Sequence, residues 1–516
     1  MSGRQAGALG VATVLIATVA AGAYYYSRPG TPPIQPLANT GETPETPEKV
    51  HTFCGNCHVY PPADTFPRFA WKEEVERGYF FFSKSNLKLV PPRIEEVIDY
   101  YESRAPEKLP PAEIHYAATP LPVKFAPHAF PDPPEASPPA VSHVSLVHLF
   151  DDQRLDILAC EMRHGLIMSL SPYEKEPAWK ILGKVKNPAH AEVVDFDGDG
   201  VRDILVADLG SFPPTDRRGG SVVWLKGSPD GSFAPFTLLE DVGRTADVQS
   251  VDLNGDGKLD LVVAVFGWRE TGEILVLENT TTDWRQPQFT SHRVDPRTGA
   301  IHVPVIDLNA DGKPDFVALV AQEHEQVCAF INQGDFKFVV EILYSASQPG
   351  YGSSGIQLVD LDGDNHVDVL YSNGDVLDSP HLLKPYHSVQ WLRNKGGERL
   401  EFEHRPIGAM YGVHRAVAGD VTGDGRLDVV AVSYLPKEQF PQHEEQELDA
   451  IVVFEQTTPG EFVRHKLASR TSNHVTCALG DVFGTGKMDI VTANFMNVQA
   501  APTLHVLENQ GAADTH

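Results

Sequence analysis

Five stretches of this chain set oxygen-bearing side chains at one repeated spacing, given most fully by Asp195-Phe-Asp197-Gly-Asp199-Gly-Val-Arg-Asp203. The others place Asp252, Asn254, Asp256 and Asp260; Asp307, Asn309, Asp311 and Asp315; Asp360, Asp362, Asp364 and Asp368; and Asp420, Thr422, Asp424 and Asp428 at the same positions one, three, five and nine. Hard oxygen ligands converging on a tight, glycine-bearing turn suit a calcium ion. An EF-hand opens in the same way but needs a bidentate Glu at position twelve and a helix on each side. Here position twelve is Val206 in the first copy and Val263 in the second, inside apolar runs of strand length. The loops are therefore expected to join strands. One spacing repeated this often argues against acidic turns that bind nothing.

A second spacing, Cys54-Gly-Asn-Cys57-His58, is that of covalent c-type haem attachment. Two thiols reach the two vinyl groups of the porphyrin, and the adjoining His offers a ring nitrogen to the iron. A zinc site would need a second Cys pair, and a thioredoxin-like dithiol would need a strand-helix context. Neither accompanies this motif. Two helices are expected after it, at Phe66–Arg77 and Pro92–Arg104, the latter with Ile94, Val97, Ile98 and Tyr101 at i, i+3, i+4 and i+7. Residues 48–108 look like a small cytochrome c domain. It departs from the common pattern because no Met lies between Met1 and Met162. The sixth ligand is left among Lys84, Lys88, Tyr79, His51, His115 or no protein group.

Each acidic phrase runs into an apolar segment and then a second strand-like one, such as Ser221–Gly227 or Ile274–Asn279. Counted from position one, the repeats begin at 148, 195, 252, 307, 360, 420 and 481, a period of 47 to 61 residues that fits a four-stranded propeller blade. On these residues the chain, over about 131–511, resembles the FG-GAP or VCBS repeat proteins, β-propellers with calcium loops of this type. The resemblance implies a mainly β fold of seven blades. It weakens in blade 1, where His148 and Phe150 replace ligands, and in blade 7, where Phe483 and Thr485 do. Tight calcium is not expected in those two. The ring must also close, because an open last blade leaves backbone groups unpaired. The strand that closes blade 7 is expected from before blade 1, within 118–131.

Five histidines precede the phrases: His143, His190 and His302 by five residues, His414 by six and His474 by seven. The first strand of a propeller blade is innermost, so these side chains are expected near one mouth of the channel. The long connections 210–220, 267–272, 373–387 and 433–448 share that face, with Arg217, Arg218, Trp268, Arg269, Asp375, Tyr386, His387 and Tyr434. Two roles stay open for the histidines: a metal, substrate or docking site, or polar caps that bond neighbouring blades.

The 516 residues thus divide into four expected parts: an anchor at 1–28, a Pro-rich linker at 29–47, the haem domain at 48–108 and the propeller at 109–516. Gln5–Ser27 is uncharged and apolar, long enough to act as a transmembrane helix with Tyr24, Tyr25 and Tyr26 at the interface. The expected location is the cytoplasmic membrane with both domains on the periplasmic side; the alternative is secretion after cleavage near Ala23. A formal charge of -28 leaves no basic stripe for nucleic acid. Of the five cysteines, Cys160, Cys328 and Cys477 are scattered in apolar segments and read as buried thiols. No hydrolytic triad or phosphate loop is present. The resulting expectation is an electron-transfer protein with haem c and calcium, whose propeller recognises a redox partner protein or a small molecule. A surface binding or adhesion propeller, taking a glycan or protein and bearing a sensory or vestigial haem, is the alternative.

Overall fold

The computed structural model describes residues 46–513 except 57, 86, 134, 136, 378, 380, 398 and 496–501. The expected anchor at 1–28, the linker up to residue 45 and Cys57 lie outside the described residues. Among the described residues, no helix is long and apolar enough to cross a membrane.

The chain forms two compact units, one from residues up to Phe53 with Trp71–Ser103, the other from Cys54–Ala70 with Arg104–His516. The first is helical. Helix α1 spans Thr46–Cys54, α2 Trp71–Lys84 and α3 Ile94–Arg104. The sequence ends the linker at residue 47 and predicts no helix ahead of the haem motif, yet α1 begins at Thr46 with Pro47 in its first turn, where the missing N–H costs nothing. The sequence also begins α2 too early. Short 3-10 turns at Ala63–Thr65 and Arg68–Ala70, each closed by a bond back to a proline carbonyl, precede the helix proper. The core of this unit is aromatic: Trp71 stacks on Tyr101 at 3.8 Å, and Phe53 meets Tyr79 and Phe82 at 5.2 and 5.0 Å.

The second unit is a seven-bladed β-propeller, each blade an antiparallel sheet. In blade 2 the strands run Pro188–Val194, Asp203–Asp208, Gly220–Gly227 and Phe233–Val242 from the centre outward. The second strands of blades 1 to 7 begin at Asp156, Asp203, Asp260, Asp315, Asp368, Asp428 and Asp489, and every residue in them is buried. Blades stack face to face, so both faces of these strands need apolar side chains, which explains their unbroken Ile, Leu, Val and Ala runs. Outer strands face water on one side, as in the mostly exposed Phe338–Ser345. Val144, Met168, Val491 and Val506 join blade 1 to blade 7, while Leu253, Val262, Phe316 and Phe330 join blade 3 to blade 4.

Blade 7 takes its outer strand from the other end of the sequence. Val123–His128 pairs antiparallel with Leu504–Ala512, from Val123 opposite Ala512 to His128 opposite Val506. Leu121 and Val123 are buried with Val430, Ile490 and Leu507. In blade 4 the inner strand is split into Ala300–His302 and Val305–Ile306. Pro304, which has no N–H, falls at the break, and the N–H of Val303 donates to Asp247 of blade 3 at 2.9 Å instead of to the ladder.

Candidate functional site

The acidic phrases are the turns between the first and second strands of the blades. In all five, a carboxylate oxygen of position one accepts the backbone N–H of position six: Asp195 from Gly200 at 3.0 Å, Asp252 from Gly257 and Asp307 from Gly312 at 2.9 Å, Asp360 from Asn365 at 2.8 Å, Asp420 from Gly425 at 2.9 Å. Position six has φ between 66° and 87° in these loops, which is why it is Gly in four of them and Asn in the other. The turn is thus held open by its own first carboxylate.

Position nine does something the spacing did not reveal. Asp203, Asp260, Asp315, Asp368 and Asp428 have no exposed surface. In each, one oxygen accepts the N–H of position two and the other accepts an N–H at the end of the third strand, as Asp203 does from Phe196 (3.1 Å) and Gly227 (2.7 Å). The same pair of bonds recurs at Asp489 in blade 7, where two ligand positions are lost. Position nine is therefore a structural staple in addition to any metal role. Burial pushes its carboxyl up, to about 6 for Asp260 and Asp368.

Among the described residues, carboxylate oxygens from three acidic side chains lie within 4.8 Å of one another in two places: Asp195, Asp197 and Asp203 of blade 2, and Asp360, Asp362 and Asp368 of blade 5. These are the two loops with Asp at position three. In blades 3, 4 and 6 a neutral oxygen from Asn254, Asn309 or Thr422 stands there. Oxygen-only donor sets on a tight turn fit calcium better than a softer metal.

At the centre of the ring the five histidines divide. His414 and His474 donate through Nδ1 to the carbonyls of Val475 and Ala493, each at 3.1 Å, and act as caps between neighbouring segments. Burial holds both well below the usual imidazole range, to about 4. His143, His190 and His302 instead converge with two residues that a search for histidine misses, Asp247 and Arg415. His143 and His190 meet ring to ring at 4.4 Å. His190 Nδ1 lies 2.9 Å from one oxygen of Asp247, an ion-pair contact off the hydrogen-bond axis, and His302 Nδ1 lies 3.8 Å from the other. Arg415 donates to His302 Nε2 at 3.3 Å and to the carbonyl of Ile356 at 3.0 Å. Burial alone would raise the Asp247 carboxyl, and the two imidazoles hold it well below the usual range. Burial and the neighbouring His190 hold the His143 imidazole well below the usual range.

All five occupy one repeat position, five residues before position one of their blades; Gly355 and Thr476 fill it in blades 5 and 7. In blades 1 to 6 the inner strand shifts register immediately before this residue. Bulges re-aim side chains, and here the same device recurs around the ring. A Cβ at Gly355 would lie 3.2 Å from an Arg415 nitrogen, so the glycine makes room for the guanidinium. Reading this position in every repeat, whatever the residue, is the signal that finds the set.

The turn between the second and third strands of blade 4 holds further buried charge. Glu325, 5 % exposed, accepts the N–H of Ser353 at 2.8 Å, and burial pushes its carboxyl up to about 7. The folded value lies above the unfolded one, so its contribution is complete below the unfolded value and is lost as pH rises through 7. The loss amounts to about 3 kcal/mol. Glu325→Gln should therefore raise the melting temperature at pH 8 and not at pH 4.5; equal shifts at both pH values would show that the carboxyl does not titrate in this way.

Residues 195–263 and 307–371 match the model of the FG-GAP-like repeat, taking in the loops of blades 2 to 5. No curated protein matches the chain. The chain is a seven-bladed β-propeller that carries FG-GAP-like repeats, a ligand-binding or adhesion kind of fold.

Proposed function

We propose that this chain is an exported, membrane-anchored electron-transfer protein with covalent haem c, in which calcium stiffens the loops of a propeller that recognises the redox partner. The observation that carries the reading is the setting of Cys54-x-x-Cys57-His58. Helix α1 ends at Cys54, and His58 Nδ1 donates to the carbonyl of Val59 at 2.8 Å. That bond fixes the tautomer and leaves Nε2 with its lone pair, the state an iron ligand requires. Haem, when bound, supplies a one-electron couple at iron.

The residues of the helical unit narrow the choice of sixth ligand. The Tyr79 hydroxyl donates to the carbonyl of Pro92 at 2.7 Å, and His51 Nε2 is hydrogen-bonded to the Tyr100 hydroxyl at 2.8 Å. Both groups are committed elsewhere, which favours Lys84, Lys88, His115 or an iron with no sixth protein ligand. The FG-GAP-like match in the propeller is the support for the second reading, a surface binding or adhesion propeller whose haem is sensory or vestigial.

The absorption spectrum of the full chain, produced with c-type haem maturation machinery, separates them. A covalent haem band is expected, abolished in the Cys54→Ser, Cys57→Ser double variant. In His58→Ala the band should persist with a changed spin state. A wild-type chain that folds without covalent haem under these conditions would falsify the electron-transfer reading and leave the binding propeller.

A further inference from the structure

The acidic loops are not equivalent, and the difference extends to a residue outside the phrase. The third-strand position just before the residue whose N–H bonds position nine is Lys226 in blade 2 and Arg393 in blade 5. It is Glu278, Ile331, Glu455 and Glu508 in blades 3, 4, 6 and 7. A base stands there only in the two loops whose third position is Asp. Lys226 Nζ bonds both Asp197 and Asp199, the latter at 2.6 Å. Arg393 donates through Nε to Asp362 at 2.6 Å and through Nη2 to Asp364 at 2.8 Å. Both bases thus hold positions three and five together. Where position three is neutral, the base sits at position seven, as Lys258, Lys313 or Arg426. Arg426 bonds Asp424 and the carbonyl of Gln456, and Lys313 lies 3.9 Å from Asp311.

A loop with four carboxylates and one third-strand base is one unit more negative than a loop with three carboxylates, a neutral third ligand and a base at position seven. The geometry differs as well, because the third-strand base bonds positions three and five together, whereas Arg426 bonds only position five of its loop. Asp362 is 9 % exposed; its Oδ2 meets Arg393, and its Oδ1 has no hydrogen-bond partner among the described residues. Asp197 is 4 % exposed and faces Lys226. The second oxygen of Asp197 accepts the N–H of Asp199 at 3.3 Å, and in that loop the buried oxygen with no hydrogen-bond partner among the described residues belongs to Asp195. Unit charges this close interact strongly in a partly buried site.

We propose that Lys226 and Arg393 are built-in counter-cations that make the loops of blades 2 and 5 weak, exchangeable calcium sites, held in shape without metal, while the loops of blades 3, 4 and 6 bind more tightly. The affinity difference rests on the calcium reading of the propeller; the counter-cation role does not. Two measurements on the full chain test it: calorimetric titration with calcium chloride, and melting with chelator or with millimolar calcium. Wild type should show two affinity classes. The Lys226→Met, Arg393→Met double variant should tighten the weak class by about tenfold or more, melt lower than wild type in chelator and recover in calcium. Lys226→Arg should behave as wild type. Calcium binding by the double variant with the wild-type isotherm and wild-type melting in chelator overturns the proposal. If no loop of the wild type takes up calcium, the calcium reading fails with the affinity difference, and the drop in chelator alone decides the counter-cation role.

Discussion

Replacing Asp156 by Ala should destabilise the propeller by about 3 kcal/mol or more, by the same amount with calcium as with chelator. Asp156 is position nine of blade 1, where His148 and Phe150 occupy ligand positions. It has no exposed surface. One oxygen accepts the N–H groups of Leu149 at 3.2 Å and Phe150 at 2.9 Å; the other accepts the Ser171 hydroxyl at 2.5 Å and the Tyr173 hydroxyl at 2.8 Å. The truncation strands several donors at a buried turn, and each unsatisfied buried group costs about 1–3 kcal/mol. The comparison variant is Asp203→Ala in blade 2, which removes a staple of two backbone N–H bonds together with a ligand oxygen. Its loss should be larger with calcium than in chelator, whereas that of Asp156→Ala should not change between the two. Denaturation midpoints of the two variants under both conditions give the comparison. If Asp156→Ala is destabilising only in calcium, position nine works through a metal even in blade 1, and the staple account is wrong.

This double use of one residue explains what the sequence could and could not convey. The period of the acidic phrase is legible because each blade must return its chain to the same turn, and Asp is required there by the backbone whether or not an ion binds. Blades 1 and 7 remain countable for that reason, with Asp156 and Asp489 kept while other positions drift. The channel set was only half legible. His143, His190 and His302 stand out as histidines, whereas Asp247 and Arg415 become partners only once the ring brings blades 3 and 6 around to them. A three-dimensional neighbour in a closed ring leaves no local pattern, although a shared offset within the repeat does. Lys226 and Arg393 were hidden in the same way, about thirty residues downstream of the carboxylates they meet. Helix α1 was missed because Pro, Thr and Glu suit both a linker and the first turn of a helix.

Deleting residues 118–131 should abolish cooperative folding of the propeller. The segment supplies the outer strand of blade 7, Val123–His128, which pairs with Leu504–Ala512. Without it that strand becomes an unprotected edge with a row of unpaired N–H and C=O groups. Leu121 and Val123 would also vanish from a cluster that includes Ile451, Val453 and Ile490, uncovering the seam between blades 6 and 7. The N–H of Ala513, which donates to the carbonyl of Pro122 at 2.7 Å, loses its partner as well. These losses fall at the point where the ring is held by pairing between distant parts of the chain and not by a turn, so no neighbouring loop can compensate. The expected result is an insoluble product or a melting temperature lower by at least about 10 °C. A synthetic peptide of residues 118–131 added during refolding should restore part of the transition by strand addition. An unchanged melting temperature in the deletion would show that blade 7 is stable with three strands, and the pairing of Val123–His128 would then be a covering and not a closure.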